Sequence, residues 1–128
     1  MADQPPDFAP VIRTIAMPAD TNPNGDIFGG WLMSQMDLAG GNISMRRARG
    51  RVATVAVEGM TFLRPVSVGD EVSLYARVIS VGRTSIRVFI EAWRRHRHFE
   101  EMNKVTEATF TFVAIGEDGR PRPVDPQA

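Results

Sequence analysis

The sequence predicts an α+β domain, an antiparallel sheet of about five strands wrapped around one long central helix. Three observations predict it. From Gly29 to about Arg47 the chain holds no proline, and its apolar residues surround a helix rather than forming one stripe. Four later runs carry apolar residues largely at every second position, the period of strands covered on one face. Clusters of Gly, Pro, Asn and Asp punctuate these segments.

Val11 to Met17 reads as the first strand, followed by the turn-rich stretch PADTNPNGDIFGG. The helix comes next, and its Gly40-Gly41 pair costs about 1 kcal/mol per residue relative to alanine. Such a pair mid-helix implies close backbone approach to another helix or a ligand. Strands are expected over Arg51–Leu63, Glu71–Val81, Ser85–Trp93 and Val105–Ile115, with turns at PVSVGD, VGRT and the charged HRHFEEMN segment. Residues 1–128 read as one domain. The proline-rich ends, 1–10 and 120–128, are expected to fray. A sheet wrapped on one helix leaves an edge strand open, and pairing two such edges predicts a dimer at least.

Composition narrows the chemistry. Fifteen basic residues balance fifteen acidic ones, so no global charge favours nucleic acid or an anionic membrane. The positive charge is nearly all arginine, Lys104 being the one lysine. The absence of cysteine excludes a thiol nucleophile, a disulfide and a thiolate metal site. His96 and His98, beside Glu100 and Glu101, read as exposed turn residues, and no metal site is expected. The N-terminus lacks the pattern of a signal peptide and no window is long and apolar enough for a membrane span, so a cytoplasmic protein is expected.

Asp37 is the most informative residue, a carboxylate between Met36 and Leu38 on a helix whose other side chains are mostly apolar. Buried without a partner it would cost several kcal/mol or stay protonated, so it is either paired structurally or functional. Asp26 stands just before Phe28-Gly29-Gly30, where the helix begins. Free N–H groups at a helix start suit an oxyanion hole, and a glycine there lets a carbonyl approach closely. The plainer reading is that Asp26 caps the helix. Gly29 and Asp37 are eight residues apart, about 12 Å of helical rise. One carbonyl cannot meet both on a single helix, so a shared role requires two copies of the chain.

The stretches RTIAMPADTNPNGDIFGGWLMSQMDLAGG, RVATVAVEGMTFLRPVSVGD, VGRTSI and VTEATFTFVAI together closely resemble the YciA-type acyl-CoA thioesterases of the hotdog superfamily, over about residues 13–115. The resemblance implies hydrolysis of fatty acyl-CoA by homodimers or trimers of dimers, with no cofactor because CoA is part of the substrate. It implies Asp37 as general base or nucleophile and the Gly29 N–H as oxyanion donor. Asp26 falls where related two-domain hydrolases carry an asparagine paired with the helix carboxylate, and Thr54 could hold that carboxylate or its water. Many hotdog thioesterases carry histidine where this chain has Phe28, so no histidine role applies there. An acyl tunnel would draw on Trp31, Met33, Met36 or Phe62, next to Gly30. Arg64-Pro65 and the Gly82-Arg83-Thr84-Ser85 turn match loops that meet the CoA nucleotide. The segment RRHRHFEEMNK departs from the family. Two other classes remain on the same fold: a non-catalytic acyl-CoA sensor, and a hydratase or dehydratase, which would use a histidine that the loop and helix lack.

Overall fold

The computed structural model describes residues 4–126. Its elements are β1 (Ile12–Ile15), a short 3-10 turn (Pro18–Asp20), α1 (Gly29–Ala48), β2 (Val52–Glu58), β3 (Glu71–Val81), β4 (Ser85–Arg95) and β5 (Met102–Ala114). The five strands form one antiparallel sheet in the order β1-β3-β4-β5-β2, and α1 packs against β2, β3, β4 and β5. The expected α+β architecture is borne out.

The period-two pattern explains the core. Leu74, Ala76, Ile86, Val88, Ile90, Ala108, Phe110 and Phe112 project from one face of β3–β5 onto Leu32, Met36 and Ala39 of α1. Gly40 makes this contact possible. A Cβ there would stand 2.7 Å from Ile90 Cδ1 and 2.9 Å from the Phe112 ring, while one on Gly41 would meet Phe112 at an ordinary 3.9 Å. The close approach expected of the glycine pair is therefore to the sheet, not to a helix or ligand.

Four other expectations are corrected. β2 stops at Glu58 rather than Leu63, because Gly59 takes a φ of 62° and turns the chain across the start of α1, where the Leu63 N–H bonds the Val105 carbonyl. β5 begins at Met102, since its pairing with β4 continues through polar residues before the apolar alternation starts. The helix is buried on one face only: a single sheet covers one side and leaves Met33, Leu38 and Met45 exposed. Nor does the tail fray over its described part. Val124 is buried, its N–H bonds the Arg83 carbonyl, and Arg122 donates to the last helical carbonyl, that of Ala48. At the other end Phe8 packs edge-on against Tyr75. Residues 1–3 and 127–128 of the predicted frayed ends lie outside the described residues. No helix among the described residues is long and apolar enough to cross a membrane.

Candidate active site

The turn before α1 is built by Asn22, whose side-chain oxygen accepts the N–H groups of Asn24 and Asp26. Phe28 is the N-cap and supplies no side-chain cap. Asp26 therefore does not cap the helix, and its carboxylate has no hydrogen-bond partner among the described residues. The first helical N–H groups, at Gly29, Gly30 and Trp31, precede any intrahelical acceptor and carry the positive end of the helix dipole. An added Cβ on Gly29 would sit 3.3 Å from the Phe62 ring, so glycine keeps the aromatic tight against the helix start. Gly30 opens to solvent.

A cleft of about 350 Å³ opens at this point, lined by Ile27, Phe28, Gly29, Leu32, Phe62, Leu63, Arg64, Pro65, Val66 and Val105. Arg64 forms part of its wall with its guanidinium tied to the Lys104 carbonyl at 2.7 Å, and Arg94 donates to the Pro65 carbonyl. These two arginines fix the 59–66 segment over the helix. Lys104 is itself anchored by Glu91 and Glu107; burial lowers its pKa, but these carboxylates outweigh burial and leave it raised. Leu63, Val66 and the anchoring Arg94 were not foreseen in the sequence, since they meet only after Gly59 redirects the chain.

Two turns along α1, Asp37 is half-buried and Thr54 Oγ1 donates to its Oδ1 at 2.5 Å. Thr54 pairs with Phe112 across β2–β5, which puts it on the helix-facing side, and a bulge at Val55 follows it directly. The second carboxylate oxygen has no protein partner among the described residues. Asp37 and Thr54 are thus together, but they do not line the cleft at Gly29. Of the tunnel residues, Met36 is fully buried in the core and is not available to a ligand, whereas Met33 and Phe62 are exposed and Trp31 is half-buried. The Gly82–Ser85 turn lies at the far end of β3, whose eleven residues at about 3.3 Å each carry the chain on the order of 30 Å from Glu71. One chain does not bring that turn to Arg64-Pro65. His96 stands in the β4–β5 turn, but Nδ1 lies 2.8 Å from buried Asp70, not beside Glu100 or Glu101. Among the described residues no group of three or more His, Asp or Glu side chains is placed to hold a metal ion.

An apolar cleft beside free helix-start N–H groups, with a carboxylate further along the same helix, is the equipment of an acyl-transfer site. The thioesterase superfamily model matches residues 24–100. The chain belongs to this family, as the motifs predict. It is 56% identical over 128 residues to the acyl-CoA thioester hydrolase YciA of Salmonella typhimurium, covering 98% of this chain and 96% of the relative. It is also similar to HI0827, a hexameric broad-specificity acyl-coenzyme A thioesterase, with 46% identity, a TM-score of 0.90, and 99% of this chain and 90% of that one covered. Against the hexameric thioesterase y2039 from Yersinia pestis the values are 52%, 0.88, 95% and 99%. The hotdog fold expected from the sequence is the fold observed.

Proposed function

We propose that the protein hydrolyses acyl-CoA thioesters at a site shared by two copies of the chain. The carrying observation is Asp37, held by Thr54 on an apolar helix with one oxygen left free, about 12 Å of helical rise from the open Gly29 N–H. That offset is too long for one carbonyl and suits the Gly29 of one copy facing Asp37 of the partner subunit. The uncovered side of α1 and the open edge of β2 give the second copy an apolar seat. The Salmonella relative is named an acyl-CoA thioester hydrolase, and HI0827 and y2039 are hexameric, which favours a trimer of such dimers.

The thioester carbonyl accepts the Gly29 N–H, and the helix dipole stabilises the charge that develops on its oxygen. Asp37 takes a proton from water as the C–O bond forms. The C–S bond then breaks, and the thiolate leaves with the proton returned. In the other route the carboxylate itself attacks, and water splits the resulting anhydride. Label found in Asp37 after a single turnover in ¹⁸O-water identifies the anhydride route, because attack by an Asp37-activated water cannot put it there. Neither needs a cofactor. Asp26, close to the helix start, faces the incoming thioester, and Trp31, Met33 and Phe62 flank the acyl chain. Arg64, Pro65 and the turn of Gly82, Arg83, Thr84 and Ser85 reach the nucleotide from different copies. A cytoplasmic setting belongs to the same proposal.

The test is incubation with saturated and enoyl acyl-CoA, following both thiol and double bond. Release of CoA is expected with both; a changed double bond without thiol would mark a hydratase, and binding with neither a sensor. A kcat/KM series from acetyl- to palmitoyl-CoA then defines the acyl preference.

A further inference from the structure

We infer that Thr106 is a positioning residue for the hydrolysis proposed above: with the bulged Val105 beside it, its hydroxyl holds Phe62 against the Gly29 N–H. On β5 the helix-facing row runs through Thr106, Ala108, Phe110, Phe112 and Ala114, all buried. Thr106 is the one polar member of this row, and a hydroxyl so placed costs stability unless it is hydrogen-bonded. Its Oγ1 donates to the Thr61 carbonyl at 2.7 Å. Just before it the β4–β5 register shifts, since Ala92 faces Thr106 while Trp93 faces Lys104. Val105 is thus the extra residue of a bulge, a device that re-aims side chains beside active sites. It is buried like Thr106, which breaks the alternation, and it lines the cleft. Its carbonyl accepts the Leu63 N–H at 2.7 Å.

These two bonds fall on the two peptide groups that flank Phe62. The first ties the Thr61 carbonyl and the second the Leu63 N–H, so both planes between which Phe62 turns are fixed to β5. Packing does not hold them, because Thr61, Phe62 and Leu63 are all exposed. Arg64 and Arg94 act further along, at the Lys104 and Pro65 carbonyls. With its backbone clamped, the Phe62 ring stays where a Cβ on Gly29 would meet it at 3.3 Å, and it covers that side of the helix start. Water reaching the N–H groups there would compete with the thioester carbonyl, so the ring keeps these donors for the charge that develops in the transition state. The clamp stands on geometry alone; its positioning role rests on the hydrolase reading.

Steady-state thiol release by variants of the full chain tests the role. Thr106→Val keeps the shape and deletes the hydroxyl, and should lower kcat/KM for acyl-CoA about three- to tenfold, the value of one hydrogen bond. Thr106→Ser keeps the hydroxyl and should restore most of the rate. Should Thr106→Val not fold, Thr106→Ala against Thr106→Ser makes the same comparison between side chains of nearly equal size. In a Phe62→Ala background Thr106→Val should have no further effect, since the ring that it positions is gone; a merely structural role would add its loss in both backgrounds. Amide exchange reads the clamp without turnover: Thr106→Val should speed exchange at Leu63 and leave the amides of β4 as in the parent. Unchanged kcat/KM in folded Thr106→Val, equal losses in the valine and serine variants, or additive losses with Phe62→Ala overturn the role. A parent that releases no CoA from any acyl-CoA overturns the hydrolase reading and this role with it, whereas an active parent with unmoved variants overturns this role alone.

Discussion

Thr54 Oγ1 and Asp37 Oδ1 lie 2.5 Å apart, bridging the edge strand β2 and the central helix. A hydroxyl donating to a carboxylate is a charge-assisted bond, and here it fixes one oxygen while leaving the other to solvent. Asp37→Ala is expected to remove nearly all thiol release while leaving the oligomer unchanged in size-exclusion chromatography. Near-normal kcat in this variant would dismiss Asp37 from the chemistry.

Thr54 orients that carboxylate. Thr54→Val should lower kcat by about one to two orders of magnitude, the range for a hydrogen bond to a charged group, with little change in KM. Thr54→Ser should restore most of the rate. Equal loss in both variants would mean that packing, not the hydroxyl, matters there.

Gly29→Pro deletes the proposed oxyanion donor at a helix position where proline is tolerated. A loss of kcat of about 10² or more is expected, the usual scale for one oxyanion donor. Gly29→Ala keeps the N–H and controls for crowding by Phe62, so it should lose much less. Mixed oligomers of Asp37→Ala and Gly29→Pro chains should recover activity, because one interface then carries an intact pair. Mixtures as inactive as their parents would place both groups' roles within a single chain.

The two neighbouring helix glycines should part company in chemical denaturation. Gly40→Ala is expected to cost about 1–3 kcal/mol through overpacking against Ile90 and Phe112. Gly41→Ala should be neutral or gain up to about 1 kcal/mol from helix propensity. Equal effects would contradict the packing described.

Hydrogen bonding from Arg47 lowers the pKa of Asp125; burial opposes this, and the charges of Arg47 and Arg49 add to the lowering. The folded state therefore binds fewer protons than the unfolded one in the acid range. The pair's contribution should be present above the unfolded carboxylate value and vanish as pH falls through the folded value. The Tm difference between the parent and Asp125→Asn should accordingly be seen at neutral pH and disappear in acid.

Asp37 and Gly29 stood out in the sequence as candidates for local reasons: a lone charge among Met and Leu, and a glycine pair where turn chemistry gives way to a helix. Thr54 did not, because a β-branched residue on a strand is ordinary; its place came from the family resemblance, and its bond to Asp37 depends on the strand register. The cleft wall at Leu63 and Val66 depends on the turn at Gly59, which apolar alternation running on to Leu63 conceals. The tail was misread because three prolines among its nine residues look like a frayed end, while a single apolar side chain, Val124, suffices to dock it. The apolar girdle of α1 was read correctly as composition, but one chain covers only half of it.

The bare edge of β2, with Val55 and Val57 exposed, makes this strand a built-in gauge of assembly. Its outward-facing amides have no partner strand among the described residues, so if two copies pair along this edge, as proposed above, their deuterium uptake should slow as protein concentration rises. Those of β4, between β3 and β5, should keep a concentration-independent clock. The ratio of the two would report, residue by residue and without a substrate, the concentration at which the edges close.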